Sequence, residues 1–223
     1  MGRSFAGAEV FWDRTVDRPP ADEFRAALRG RRVTRAGRRG KYLVFHLDGG
    51  GALVVHLRMT GRLRLRETGA ERDRHLRAVL HLDDGRELHF EDQRKFGRLY
   101  LVPDGAGLNG VLAKIGPEPL AGAFTRGQLR QLLARRRTAL KPLLLDQRFL
   151  AGLGNIYVDE SLYRARLHPL RRSDSLTEAE ITALHAGIVD ALQQGITNRG
   201  TTLSDYRDAW GDAGLTSSSR RGA

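Results

Sequence analysis

The chain has 223 residues, 40% of them hydrophobic, enough for one large domain or two small ones with real cores. A formal net charge of +12 and a pI of about 11.0 point to a polyanionic partner, either nucleic acid or an acidic membrane surface. The sequence has no cysteine, which excludes disulfides and thiolate-bound zinc, and no apolar run long enough to span a bilayer; its opening MGRSFAGAEV shows no apolar signal core, so no secretory leader is expected.

The first half reads mainly as strands. Residues 8–12 alternate in part, and 21–29 form a predicted helix after Pro19 and Pro20. Strands are predicted at 31–36, 42–47, 52–59, 77–82, 87–91 and 98–102, with turn signals GGG at 49–51 and DDG at 83–85. Residues 67–74 are charged and read as a loop. The second half reads as helices, at 108–115 and 125–134, then a pair within 138–162, then 177–194. In the last of these, Thr177 and Glu180 form a capping box, and Ile181, Leu184, Ile188 and Leu192 share one face. The composition divides near residues 103–107, so the fold class is α+β with two lobes and a cleft between them. The lobes are an antiparallel β-sandwich at 1–104 and a helical domain at 105–212, followed by a disordered polar tail at 213–223.

Chemistry-bearing residues concentrate in a few segments. There are four lysines against 34 arginines, a bias that GC-rich coding explains, and three of the four lysines lie in GKY, RKFG and LKPL. Lys41 is either a strand-edge cation or a phosphate contact. His56 is either a plain strand histidine or a phosphate donor, and the seven histidines show no metal-ligand spacing. Met59 is core filler or a probe at a turn; Phe96 is a core aromatic or, with Arg94, part of a base-stack wedge. Glu118, in IGPEPL, reads as a structural carboxylate. Glu160 is a capping or arginine-paired group or an acid–base partner for a reacting amine. In TALKPLLLDQRFLAGLGNIYVDESL, Gly152 and Gly154 are expected at positive φ, and Asn155 is expected to start and cap the following helix. Two helices joined by a glycine turn make a phosphate-binding corner, to which Lys141 and Asn155 contribute.

The ordered motifs RRGKYL, HLRMTGRL, EDQRKFGRL, IGPEPL, GLGNIYVDESL and GTTL, spread over residues 10–206, resemble the formamidopyrimidine-DNA glycosylase / endonuclease VIII family. The resemblance implies a helix–two-turn–helix motif and a base excision repair enzyme, a DNA glycosylase and AP lyase acting on oxidised bases. It implies double-stranded DNA with oxidised or abasic sites as partner, held by Lys41, His56, Met59, Arg94, Phe96, Lys141, Asn155, Thr201 and Thr202, the last two in a base-lid loop. Lys95 stands where the family commonly has arginine. A monomer in the bacterial cytoplasm, associated with the nucleoid and not with a membrane, is expected.

Two family features are missing from these residues. The family's nucleophile is an N-terminal proline amine that forms a Schiff base with the sugar C1′, next to a glutamate that acts as acid and base. The given start aligns just after that segment, so an N-terminally incomplete copy is expected, with Lys41 and Glu160 as the remaining catalytic candidates. A catalytically silent damaged-DNA-binding module is the alternative reading; RNA binding through the two-turn motif alone is opposed by the β-rich first half. The family's C-terminal finger often holds zinc on four cysteines, and with none here no metal or other cofactor is expected.

Overall fold

The computed structural model describes residues 2–198, which divide into two compact units between Ala113 and Lys114. The polar tail and the GTTL segment lie outside the described residues. No helix among those described is long and apolar enough to cross a membrane.

The first unit is a two-sheet sandwich. One sheet has the order β1-β7-β8-β6, from Phe5–Val10, Leu76–Leu82, Arg86–Asp92 and Gly61–Glu67. The other has the order β2-β9-β5-β4-β3, from Val16–Arg18, Arg98–Val102, Ala52–His56, Tyr42–Leu47 and Val33–Arg39. Phe5, Ala78, Leu80 and Phe90 of the first sheet share one core with Leu53, Val55, Leu99 and Leu101 of the second, capped by Phe24 and Leu28 of helix α1 (Ala21–Leu28). Because side chains alternate along a strand, Ala52, Val54, Tyr100 and Val102 face the other way. They are covered by Leu108, Val111 and Leu112 of α2 (Gly105–Leu112).

This covering changes two expectations. Helix α2 starts three residues earlier than predicted, because Asp104 accepts the Gly107 N–H at 2.8 Å as its cap. It also belongs with the strands, so the first unit reaches Ala113 instead of ending at residue 104. Strands β2 and β6 are additions to the sequence reading. In β6, Leu63 and Leu65 alternate with Arg62, Arg64 and Arg66, and the arginine density hides the period-two pattern. The strand predicted at 52–59 stops at His56, since Arg58 takes a φ of 56° and turns the chain. His81 and His89 lie on strands as expected, both hydrogen-bonded to the buried Glu87.

The second unit packs α3 (Arg126–Ala134), α4 (Leu140–Leu145), α5 (Asn155–Ala165) and α6 (Glu178–Thr197) around Leu129, Leu133, Leu144, Val158, Leu162, Leu184 and Ile188. Thr125 caps α3 and the predicted Thr177–Glu180 capping box starts α6. Gly116 and Pro117 bond to the α4–α5 connection: Gly116 N–H donates to the Gln147 carbonyl at 2.8 Å, and Ala151 N–H to that of Pro117 at 2.9 Å.

Candidate nucleic-acid interface

Strand register gathers the first group of candidates at one end of the sandwich. Tyr42 pairs with His56, which pairs with Arg98, and Arg39 pairs with Tyr42, so these four form one row across β3, β4, β5 and β9. The β3–β4 turn, Gly40 and Lys41, closes the same end. Lys41 therefore sits in the turn before the strand, only partly exposed; burial, then the charge of Arg58, holds its ammonium below the usual lysine range.

His56 is 5% exposed. Its ring packs edge-on against Tyr42 at 4.1 Å, and its Nδ1 accepts the Arg58 N–H at 3.0 Å. Burial, then the neighbouring Arg58 and Lys41, push its pKa down to about 4. The ring is neutral at pH 7, with Nδ1 as acceptor and Nε2 as the remaining donor.

Two loops cross between the sheets at this end, β5 to β6 and β8 to β9. They carry Met59 and the Arg94–Phe96 segment. Met59 is 66% and Phe96 53% exposed, so neither is the core residue that its type suggests. The loops touch: an Arg94 guanidinium N–H points at Met59 Sδ, 3.5 Å away. Lys95, at a φ of 60°, and Arg98 both lie over the ring of Trp12, at 5.3 and 5.7 Å. Two apolar tips thus stand on loops that also carry Arg58, Arg94 and Lys95. The sequence reading missed Arg58, Arg98 and Trp12; the register row places Arg98 beside His56, whose ring accepts the Arg58 N–H, and Trp12 joins through Arg98, a grouping that exists only once the strands are paired.

The second group lies in the helical unit. Gly152 has a φ of 87°, as the turn requires, but Gly154 has an ordinary φ of −116° and occupies the cap position before α5. Asn155 is the first helical residue. No side-chain hydrogen bond caps this helix, which corrects the expected capping role: a cap oxygen must come from the extended residue before the helix, here a glycine. Asn155 is exposed beside the free N–H groups of the first turn, an arrangement suited to a phosphate.

Gln147, absent from the sequence reading, braces the turn. Its amide donates to the carbonyls of Leu145 (3.1 Å) and Leu153 (2.8 Å) and accepts the Gly152 N–H at 2.9 Å. Lys141 reaches α5 through a 2.8 Å ion pair with Asp159, one turn past Asn155. Glu160 pairs with Arg164 at 3.7 Å, the arginine-paired role weighed against acid–base work. Glu118 lies in the turn between Pro117 and Pro119, where its backbone carbonyl accepts the Ala121 N–H at 3.1 Å. Thr201 and Thr202 lie outside the described residues.

The family model of the formamidopyrimidine-DNA glycosylase N-terminal domain matches residues 1–99, and that of the formamidopyrimidine-DNA glycosylase H2TH domain matches residues 115–207. A formamidopyrimidine-DNA glycosylase of Roseiflexus sp. (strain RS-1) is 50% identical over 96% of this chain and 80% of its own length. Lactococcus lactis Fpg, solved with DNA containing an abasic site, superposes with a TM-score of 0.87 at 35% identity, over 96% of this chain and 78% of that one. The same bacterium's Fpg with FAPY-dG DNA gives 0.85 at 35% identity, over 91% and 76%. With both units matched in order, and relatives this similar over nearly its whole length, the chain belongs to the formamidopyrimidine-DNA glycosylase family.

Proposed function

We propose that this protein is a DNA glycosylase with AP lyase activity, removing oxidised purines in base excision repair. The observation that carries the reading is the exposed set Met59, Arg94 and Phe96, on two loops that touch, in a chain of this family. A base inside a duplex is out of reach of an enzyme, so it must leave the stack. Apolar tips fill the gap it leaves, and an arginine hydrogen-bonds the partner base. Lys41, His56 and Arg58 hold phosphates near the displaced nucleotide. The α5 N-terminus, with Asn155 and Lys141, holds backbone phosphates without reading sequence. The substrate puts the protein, acting as a monomer, with the chromosome in the bacterial cytoplasm.

The lowered proton affinity of Lys41 leaves more of its amine unprotonated, which supports it as a candidate for imine formation with an abasic sugar. The side chains do not fit a four-thiolate zinc site, since the 223 residues contain no cysteine.

Incubation with a duplex carrying one 8-oxoguanine, and borohydride trapping on an abasic duplex, test the reading. Strand cleavage and a covalent adduct are expected. An adduct that survives Lys41→Ala removes Lys41 as the amine. Lesion-selective binding without cleavage or adduct would replace the glycosylase reading with that of a damaged-DNA-binding module.

A further inference from the structure

Asp92 ends β8 where both crossover loops leave the sandwich, and it is 1% exposed. Its Oδ1 accepts the Thr60 Oγ1–H at 2.5 Å and the Arg94 N–H at 3.2 Å, and its Oδ2 accepts the Gly97 N–H at 2.7 Å. Thr60 Oγ1 also accepts from the Arg94 N–H at 3.1 Å. The backbone of Asp92 is fixed as well, its N–H bonded to the His75 carbonyl and its carbonyl to Arg77 Nε–H, each at 2.9 Å. All three donors to the carboxylate therefore come from the two loops that carry Met59, Arg94 and Phe96. The chain folds this tightly onto the carboxylate because residue 97 is glycine: a Cβ there would meet Phe90 Cζ at 2.4 Å and Asp92 Oδ2 at 3.1 Å.

We propose that Asp92, acting through Thr60, is the positioning residue that sets the insertion wedge. It joins two loops that are far apart in sequence into one rigid tip before DNA arrives. Exposed side chains on independent loops would lose conformational freedom on insertion, and that loss would subtract from lesion binding. Charge-assisted bonds to a buried carboxylate remove the loss in advance. Thr60 Oγ1 links the Met59 loop to the carboxylate, while Arg94 and Gly97 link the other loop directly. Loss of the Thr60 hydroxyl unties one loop and leaves the other in place.

This inference rests on the lesion-recognition reading above, and the experiment separates the two. The full chain and its Thr60→Val, Thr60→Ser and Asp92→Asn variants are titrated with an intact duplex and with the same duplex carrying one tetrahydrofuran abasic analogue opposite 2-aminopurine. Wild type should prefer the lesion duplex and raise 2-aminopurine fluorescence as the tip enters. Thr60→Val should lose about tenfold of the preference and most of the fluorescence rise, with affinity for intact duplex unchanged; Thr60→Ser should restore both. Asp92→Asn, if folded, should match Thr60→Val or exceed it; if it does not fold, the Thr60 pair decides. Thr60→Val with wild-type preference and fluorescence overturns the proposal. A wild-type chain with no lesion preference overturns the lesion-recognition reading, and this inference with it.

Discussion

Under the proposed function, the strand unit and the helical unit offer DNA opposite kinds of contact. In the strand unit they are side-chain tips, Met59 and Phe96, standing out from loops that the Thr60 hydroxyl and two backbone N–H groups tie to a buried acid. In the helical unit the contacts are main-chain N–H groups at the start of α5, with Asn155 and Lys141 beside them. Side chains can tell an extrudable base from a stacked one; backbone donors respond to any phosphate. Discrimination and grip are thereby assigned to different units and should fail separately.

The largest effect is expected where the helical corner is held together. Gln147→Ala removes three hydrogen bonds and leaves the Gly152 N–H and the Leu153 carbonyl without their partner. The cost should be about 3 kcal/mol, read as a lower melting temperature, with weaker binding to damaged and intact DNA alike. Unequal loss on the two DNAs would mean that the corner also discriminates.

The next effect belongs to the strand unit and depends on pH. The folded pKa of His56 is about 4, against about 6.5 for an unfolded histidine. Between these values the unfolded chain binds more protons, so stability is lost as pH falls through the window. By pH 5 about 2 kcal/mol should be gone relative to pH 7. Urea unfolding of wild type and His56→Asn at both pH values measures this, and the variant should show a loss smaller by that amount. Equal losses would place the acid sensitivity elsewhere.

The smallest effects are a matched pair. Phe96→Ala should lower lesion preference about tenfold and spare intact-duplex binding. Asn155→Ala should lower both affinities about fivefold and leave the preference unchanged. Competition binding with the two duplexes reads both variants, and a reversed pattern would break the division of labour.

Much of this was legible in the sequence where local chemistry decides. The short apolar runs of β4 and β5, the capping box of α6 and the glycine turn after α4 are each set by residues within a few positions. Legibility ended where distant segments meet. Asp92 reads as one more acid in EDQRKFG until Thr60, 32 residues away, is brought beside it. Gln147 reads as a polar spacer until the chain returns through Gly152 and Leu153. Strand β6 was hidden because its outward positions are all arginine, and α2 was grouped with the helices because its partners, Val54 and Tyr100, lie earlier in the chain. The expected Asn155 cap differed by one residue, and that single position decides whether a side chain or a ligand meets the free N–H groups.

That uncapped start of α5 has a consequence for a protein that must search. A serine or aspartate in place of Gly154 would strengthen the helix by only about a few tenths of a kcal/mol, but it would fill the donors with the protein's own oxygen. With glycine there, the helix lacks something that every stretch of duplex carries, and under the proposed function ordinary undamaged DNA would steady the corner along the whole path between lesions.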